Sequence, residues 1–218
     1  MTDQGGTDSS PDAAEYKLTL TAEDSKAISE FLSQNLLTVL NIPHIRLILS
    51  ANRLKRLAGN LERLGLSDAC ETIATDLFKF APQDGFDAVL LDAPCSSTGT
   101  VRRHPDVPFA KSAADIEKLA ALQARMLDTA SSWVRPGGVL VFSNCSLDPL
   151  EGEAVARRFA AAHPDFAIAP VMAEEAPGFG EAIDEDGFLR LTPAHLDLGD
   201  PALSGVDGFF AARFQRLA

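Results

Sequence analysis

The segment "FDAVLLDAPC", residues 86–95, decides the fold. Ala88, Val89, Leu90 and Leu91 follow one another without a polar interruption. A run this short and continuous predicts a strand covered on both faces, because a half-exposed strand alternates polar and apolar residues. Asp92, Ala93 and Pro94 then close it, since proline has no N–H to give to a ladder. Cys95 stands directly after that break. Fifty residues on, "VLVFSNC" (139–145) repeats the arrangement, a second apolar strand followed at once by Cys145.

Between the two strands, residues 112–134 predict a helix. Ser112 and Asp115 stand in capping-box relation, and Ile116, Leu119, Met126, Ala130 and Trp133 form its expected buried stripe. "RPGG" (135–138) is expected to end it. After Cys145, the residues Asp148, Pro149 and Glu151 carry cap, first-turn and capping-box chemistry for a helix reaching His163.

Working outward, "IRLIL" (45–49) predicts a short strand, and "SANRLKRLAGNLERLGL" (50–66) an amphipathic helix. Leu54, Leu57, Leu61 and Leu64 recur at helical spacing, Ser50 suits the start and Gly65 the stop. Arg53, Lys55, Arg56 and Arg63 suit a solvated face and, as the alternative, a stripe that contacts a polyanion. "ACETIATD" (69–76) predicts a strand ending at Asp76, with Cys70 inside it as a small core residue. "FAIAPV" (166–171) and "GFFAARF" (208–214) complete the strands, and Thr21 to Leu40 has helical spacing of its own. Strands alternating with helices in this way predict an α/β fold, doubly wound around a mostly parallel sheet.

At 218 residues and 46% hydrophobic, the chain can bury one sizeable core. No apolar run approaches the roughly 18 residues of a membrane span, and the start is polar and acidic, so neither a signal peptide nor a membrane segment is expected. Residues 1–20 read as a disordered leader. Three cysteines without metal-ligand spacing point to a reducing, cytoplasmic setting and to no metal site. The net charge of −12 is unevenly spread: residues 1–30 hold seven acids and two lysines, residues 165–207 ten acids and one arginine. Residues 44–111 hold nine Lys and Arg against eight acids, so the middle of the chain can still face a polyanion.

Ligands of open α/β sheets gather beyond the carboxyl ends of the strands. Asp76, Asp92, Cys95, Asn144 and Cys145 all fall at such ends, which predicts two carboxylates and two thiols along one edge. One chemistry that uses them is methylation of a pyrimidine ring carbon. A thiolate adds to the neighbouring carbon, the target carbon becomes enamine-like and accepts an electrophilic methyl group, and elimination frees the base.

"DAVLLDAPCSSTGTVRRHPDVPF" (87–109), taken with "LQARMLDTASSWVRPGGVLVFSNCSLDPLEGE" (122–153), resembles the RsmB-type (Fmu/Sun) RNA cytosine-5 methyltransferases. The closing "DGFLRLTPAHLDLGDPALSGVDGFFAARFQR" (186–216) resembles the end of the same family. The resemblance implies a class I methyltransferase fold, S-adenosylmethionine as cofactor and RNA, ribosomal RNA above all, as substrate. It implies Cys145 as the nucleophile and Cys95 as the second thiol, which assists release of the methylated product. Asp76 and Asp92 would line the cofactor and base pocket, with Arg102, Arg103 and His104 either near RNA phosphates or in a solvated loop. Asn144 stands where relatives more often have Thr.

Two features depart from the family pattern. No Gly-rich turn between a strand and a helix lies upstream of Ser50, and Ile48 occupies the position at which relatives carry a ribose-binding acid. A hydrogen bond to a charged group contributes about 1.5–3 kcal/mol, so that replacement alone weakens cofactor binding about ten- to hundredfold. The expectation is therefore a partial methyltransferase domain over 50–218 that lacks the usual first strand, preceded by an atypical segment at 21–49. A catalytically silent fragment that binds RNA or a protein partner is the competing reading.

Overall fold

Residues 45–49, 58–63, 65, 67, 70–200 and 204–218 are described by a computed structural model of the chain. The expected leader, the helix from Thr21 to Leu40 and the first turns of the helix from Ser50 lie outside these residues. The described strands are β1 (Ile45–Leu49), β2 (Cys70–Ala74), β3 (Phe86–Asp92), β4 (Val134–Asn144), β5 (Phe166–Ile168), β6 (Leu189–Leu191) and β7 (Phe209–Arg216). The helices are α1 (58–63), α2 (Val107–Ala110), α3 (Ala113–Ser131) and α4 (Glu153–Ala162).

β3 pairs parallel with β4, and β7 runs antiparallel to β4, β5 and β6. The five strands thus form one mixed sheet in the order β3-β4-β7-β5, with β6 also on β7, and all but β7 run the same way. β1 and β2 form a separate parallel pair, with Ile48 opposite Ile73. Among the described residues no ladder joins that pair to β3. The expected mostly parallel α/β architecture is therefore present.

One sheet face carries the core. Register places Leu91, Phe142 and Ala212 in one row and Val89, Leu140 and Phe214 in the next. Against these rows pack Ala124, Leu127 and Ala130 of α3 and Val155, Ala156 and Phe159 of α4. Phe142, Phe188, Phe210 and Phe214 are fully buried, and the Phe142–Phe210 and Phe188–Phe210 rings meet edge to face at 6.0 and 5.8 Å. Each such ring contributes about 1.5–3 kcal/mol by leaving water.

Four expectations need correction. β3 is not covered on both faces: Leu91 is buried, but Leu90, on the row of Val141 and Arg213, is 69% exposed. The α3 capping box of Ser112 and Asp115 forms, with Asp115 N–H donating to Ser112 Oγ at 3.3 Å. The helix, however, turns Gln123, Ala124, Leu127 and Ala130 inward and leaves Ile116, Leu119 and Met126 half-buried. "RPGG" does not end the helix but lies inside β4, where the register with β3 shifts and Gly137 takes φ +79°. An inserted kink of this kind is a bulge, and glycine is what lets the chain make it. Finally, α4 begins after Gly152 with no side-chain cap, and Glu151 is buried away from the helix end.

Candidate active site

β3 and β4 end level with each other, Asp92 opposite Ser143, so the turns that follow emerge side by side. The Ala93 N–H donates to Ser143 O at 2.9 Å and carries the ladder one residue further. Cys95 follows Pro94 and Cys145 follows Asn144, and the two sulfurs lie 3.4 Å apart. Both thiols are free and partly exposed. The sequence placed them at neighbouring strand tips, and the structure brings them into contact.

Close backbone approach makes that contact. Gly99 N–H donates to Cys145 O at 2.8 Å, and Gly208 N–H donates to Gly99 O at 2.8 Å. A Cβ at residue 99 would lie 2.6 Å from Cys145 O and closer still to Gly208 O, so only glycine fits. Ser97 holds φ +62°, a left-handed conformation uncommon outside glycine, where the first cysteine turn reverses. Beneath the sulfurs lies a hydroxyl cluster: Ser146 Oγ is 3.1 Å from Ser96 Oγ and 3.2 Å from Thr98 Oγ1, which accepts from Leu147 N–H at 2.9 Å. Asn144 suits its place, since its Oδ1 accepts from Ser146 N–H at 2.9 Å and its Nδ2 donates to Glu151 O at 2.6 Å.

Burial pushes the Cys95 thiol up to about 11; the Cys145 sulfur adds to the effect and the Ser97 amide opposes it. Burial therefore favours the protonated form of Cys95, and within the pair either sulfur can donate to the other.

A lone arginine supports the second turn from below. Arg190 pairs with Glu153 through both ends of the carboxylate, at 2.9 and 2.6 Å, donates to Ser146 O and lies 4.6 Å from the centre of the Phe210 ring. Gly152 leaves the space for that guanidinium, because a Cβ there would strike Arg190 Nη2 and come within 3.0 Å of Phe210. Sequence reading passed over Arg190, although it is the one arginine, with no lysine, among ten acids in residues 165–207.

The expected carboxylates sit differently. Asp76 follows β2, is exposed, and accepts from Phe78 N–H at 3.0 Å as the cap of a short helical turn, Leu77–Lys79. Asp92 is the exposed last residue of β3. Arg102 donates to Ser204 O at 2.8 Å and to Gly205 O, and Arg103 pairs with Asp207 at 2.5 Å. Both guanidiniums thus brace the segment 204–207, while His104 is exposed. No group of described residues could hold a metal ion, and no described helix is long and apolar enough to cross a membrane.

The chain is similar to several known proteins. The family model of the 16S rRNA methyltransferase RsmB/F matches residues 45–215. Ribosomal RNA small subunit methyltransferase F of Escherichia coli strain K12 is 37% identical over 168 residues, 77% of this chain and 33% of the relative. The chain thus spans about a third of the length of the curated relatives it matches. Among solved structures, PH0851 is 30% identical with a TM-score of 0.67, covering 79% of this chain and 37% of its own. NSun6 from Pyrococcus horikoshii, solved with SFG, shares the fold at a TM-score of 0.63 and 24% identity, covering 89% of this chain and 45% of its own. The chain belongs to the RsmB/F family of 16S rRNA methyltransferases.

Proposed function

We propose that this chain carries the base-attacking part of an S-adenosylmethionine-dependent RNA cytosine-5 methyltransferase, with ribosomal RNA as substrate. The observation that carries the reading is the 3.4 Å separation of Cys95 and Cys145 at the tips of adjacent parallel strands. Two thiols in contact, partly exposed beyond a sheet edge, suit a flat heterocycle better than a core does.

The Cys145 thiolate adds to C6 of the cytosine ring, forming a C–S bond and moving electron density to C5. S-adenosylmethionine supplies the electrophilic methyl group for C5. Loss of the C5 proton to a water molecule at the partly exposed site then re-forms the C5–C6 double bond as the C–S bond breaks and the electron pair returns to sulfur. Cys95, protonated because burial disfavours its thiolate, donates its S–H to the Cys145 sulfur and so stabilises the leaving thiolate.

The residues present fit the cofactor on one side only. Asp76, just past β2, and Asp92, the last residue of β3, are carboxylates that would hold it, whereas Ile48, in β1, has no acceptor for ribose hydroxyls. That deficit favours a second reading, a silent fragment that binds RNA or a partner through the retained half.

Tritiated S-adenosylmethionine and bacterial small-subunit RNA distinguish the two. Label transfer by the parent chain and none by Cys145→Ala supports the proposal. Equal transfer by both removes Cys145 as nucleophile, and no transfer by the parent, with no cofactor binding by calorimetry, leaves the silent fragment.

A further inference from the structure

Glu151 is fully buried and touches both cysteine turns at once. Its Oε1 accepts from the Ser96 N–H and from Gln123 Nε2, each at 2.9 Å, and its Oε2 accepts from the Ser146 hydroxyl at 2.7 Å. Ser96 and Ser146 directly follow Cys95 and Cys145. The preceding residues are tied to the same centre: Gln123 Nε2 also donates to Pro94 O at 2.9 Å, and Asn144 Nδ2 donates to Glu151 O. Each cysteine is thus flanked on both sides by a residue bonded to Glu151 or Gln123, and none of these bonds goes to sulfur.

Gln123 is equally buried, and its Oε1 has no partner among the described residues. Turning the amide over would point that oxygen at two acceptors, Pro94 O and Glu151 Oε1, so the orientation is imposed by the cluster. Such a centre is an expensive way to gain stability alone. Burying a carboxylate carries a desolvation cost that apolar side chains of similar volume avoid. What it supplies is a fixed span: one rigid, planar group bonded to two separate turns.

We infer that Glu151, oriented by Gln123, is the positioning residue of the dithiol and sets the distance between the two sulfurs. The inference rests on the reading of Cys95 and Cys145 as the working thiols.

Thiol–disulfide exchange with glutathione reads that distance without RNA or cofactor. Two protein thiols become one disulfide as one oxidised glutathione becomes two reduced molecules, and the equilibrium constant reports how closely the sulfurs are held. In a Cys70→Ser background, Glu151→Ala lowers that constant by about thirtyfold or more and Ser146→Ala by about tenfold, as buried hydrogen bonds are lost. Glu151→Gln, which keeps the shape and one acceptor, restores part of the loss. Circular dichroism checks that each variant is folded; should Glu151→Ala not fold, Glu151→Gln and Ser146→Ala carry the test. Constants within about twofold of the parent in the folded variants overturn the positioning role, whatever the methyl-transfer assay gives. Conversely, absent methyl transfer by the parent defeats the proposed function and leaves this result standing.

Discussion

The carboxyl edge of the strands has two corners built on different principles. At the thiol corner Ser96, Asn144, Ser146, Glu151 and Gln123 are all at most 1% exposed, and every turn residue next to a cysteine is bonded to that centre or stands against it. At the acid corner Asp76 and Asp92 are exposed, and the β1–β2 pair shares no described ladder with β3. Both corners satisfy the rule that ligands gather at strand tips. Among the described residues the thiol corner has turns that share one buried polar centre, so a strand-tip position alone is a weak sign of preorganisation.

The sharpest way to break this contrast is to remove the proposed nucleophile. Cys145→Ala lowers methyl transfer by about a thousandfold or more, because neither binding nor positioning replaces the lost covalent step. Cys95→Ala keeps the addition and slows release, so protein–RNA adduct accumulates on denaturing gels. The acid corner is tested by repair: Ile48→Asp restores a charged acceptor and tightens S-adenosylmethionine about ten- to hundredfold by calorimetry. Gly152→Ala then probes the floor of the thiol corner. Its methyl collides with Arg190, and urea unfolding registers a loss of about 1–3 kcal/mol.

The smallest effect is one of pH. Burial alone would raise the Glu153 carboxyl, but its hydrogen bonds and pairing with Arg190 outweigh that and hold it below the usual range. A lowered folded pKa contributes stability that is present above the unfolded value of about 4.3 and is lost as pH falls through the folded one. Glu153→Gln is therefore less stable than the parent at pH 7, and the gap narrows below about pH 4 in urea midpoints.

The two cysteines were legible in sequence because each follows an unbroken apolar strand, and parallel neighbours deliver their tips to one place. The function of Glu151 was not, since a Glu three residues after Asp148 has the same spelling whether it caps a helix or faces inward. The choice was made by Ser96 and Gln123, which are 55 and 28 residues away and invisible to any local pattern. Arg190 escaped for the same reason, its partner Glu153 being 37 residues distant. β3 read as doubly covered because continuity of apolar residues reports local composition, whereas the exposure of Leu90 depends on what stands opposite. "RPGG" read as a stop because glycine and proline mark turns and bulges alike.

Peptide mapping of the covalent complex tests the central claim most directly. Cys95→Ala chain is incubated with S-adenosylmethionine and small-subunit RNA, digested with protease and nuclease, and examined by mass spectrometry. The account predicts a methylated cytidine nucleotide attached to the peptide that contains Cys145. A nucleotide on any other residue, or methylated RNA formed with no thiol linkage at any time, would contradict it.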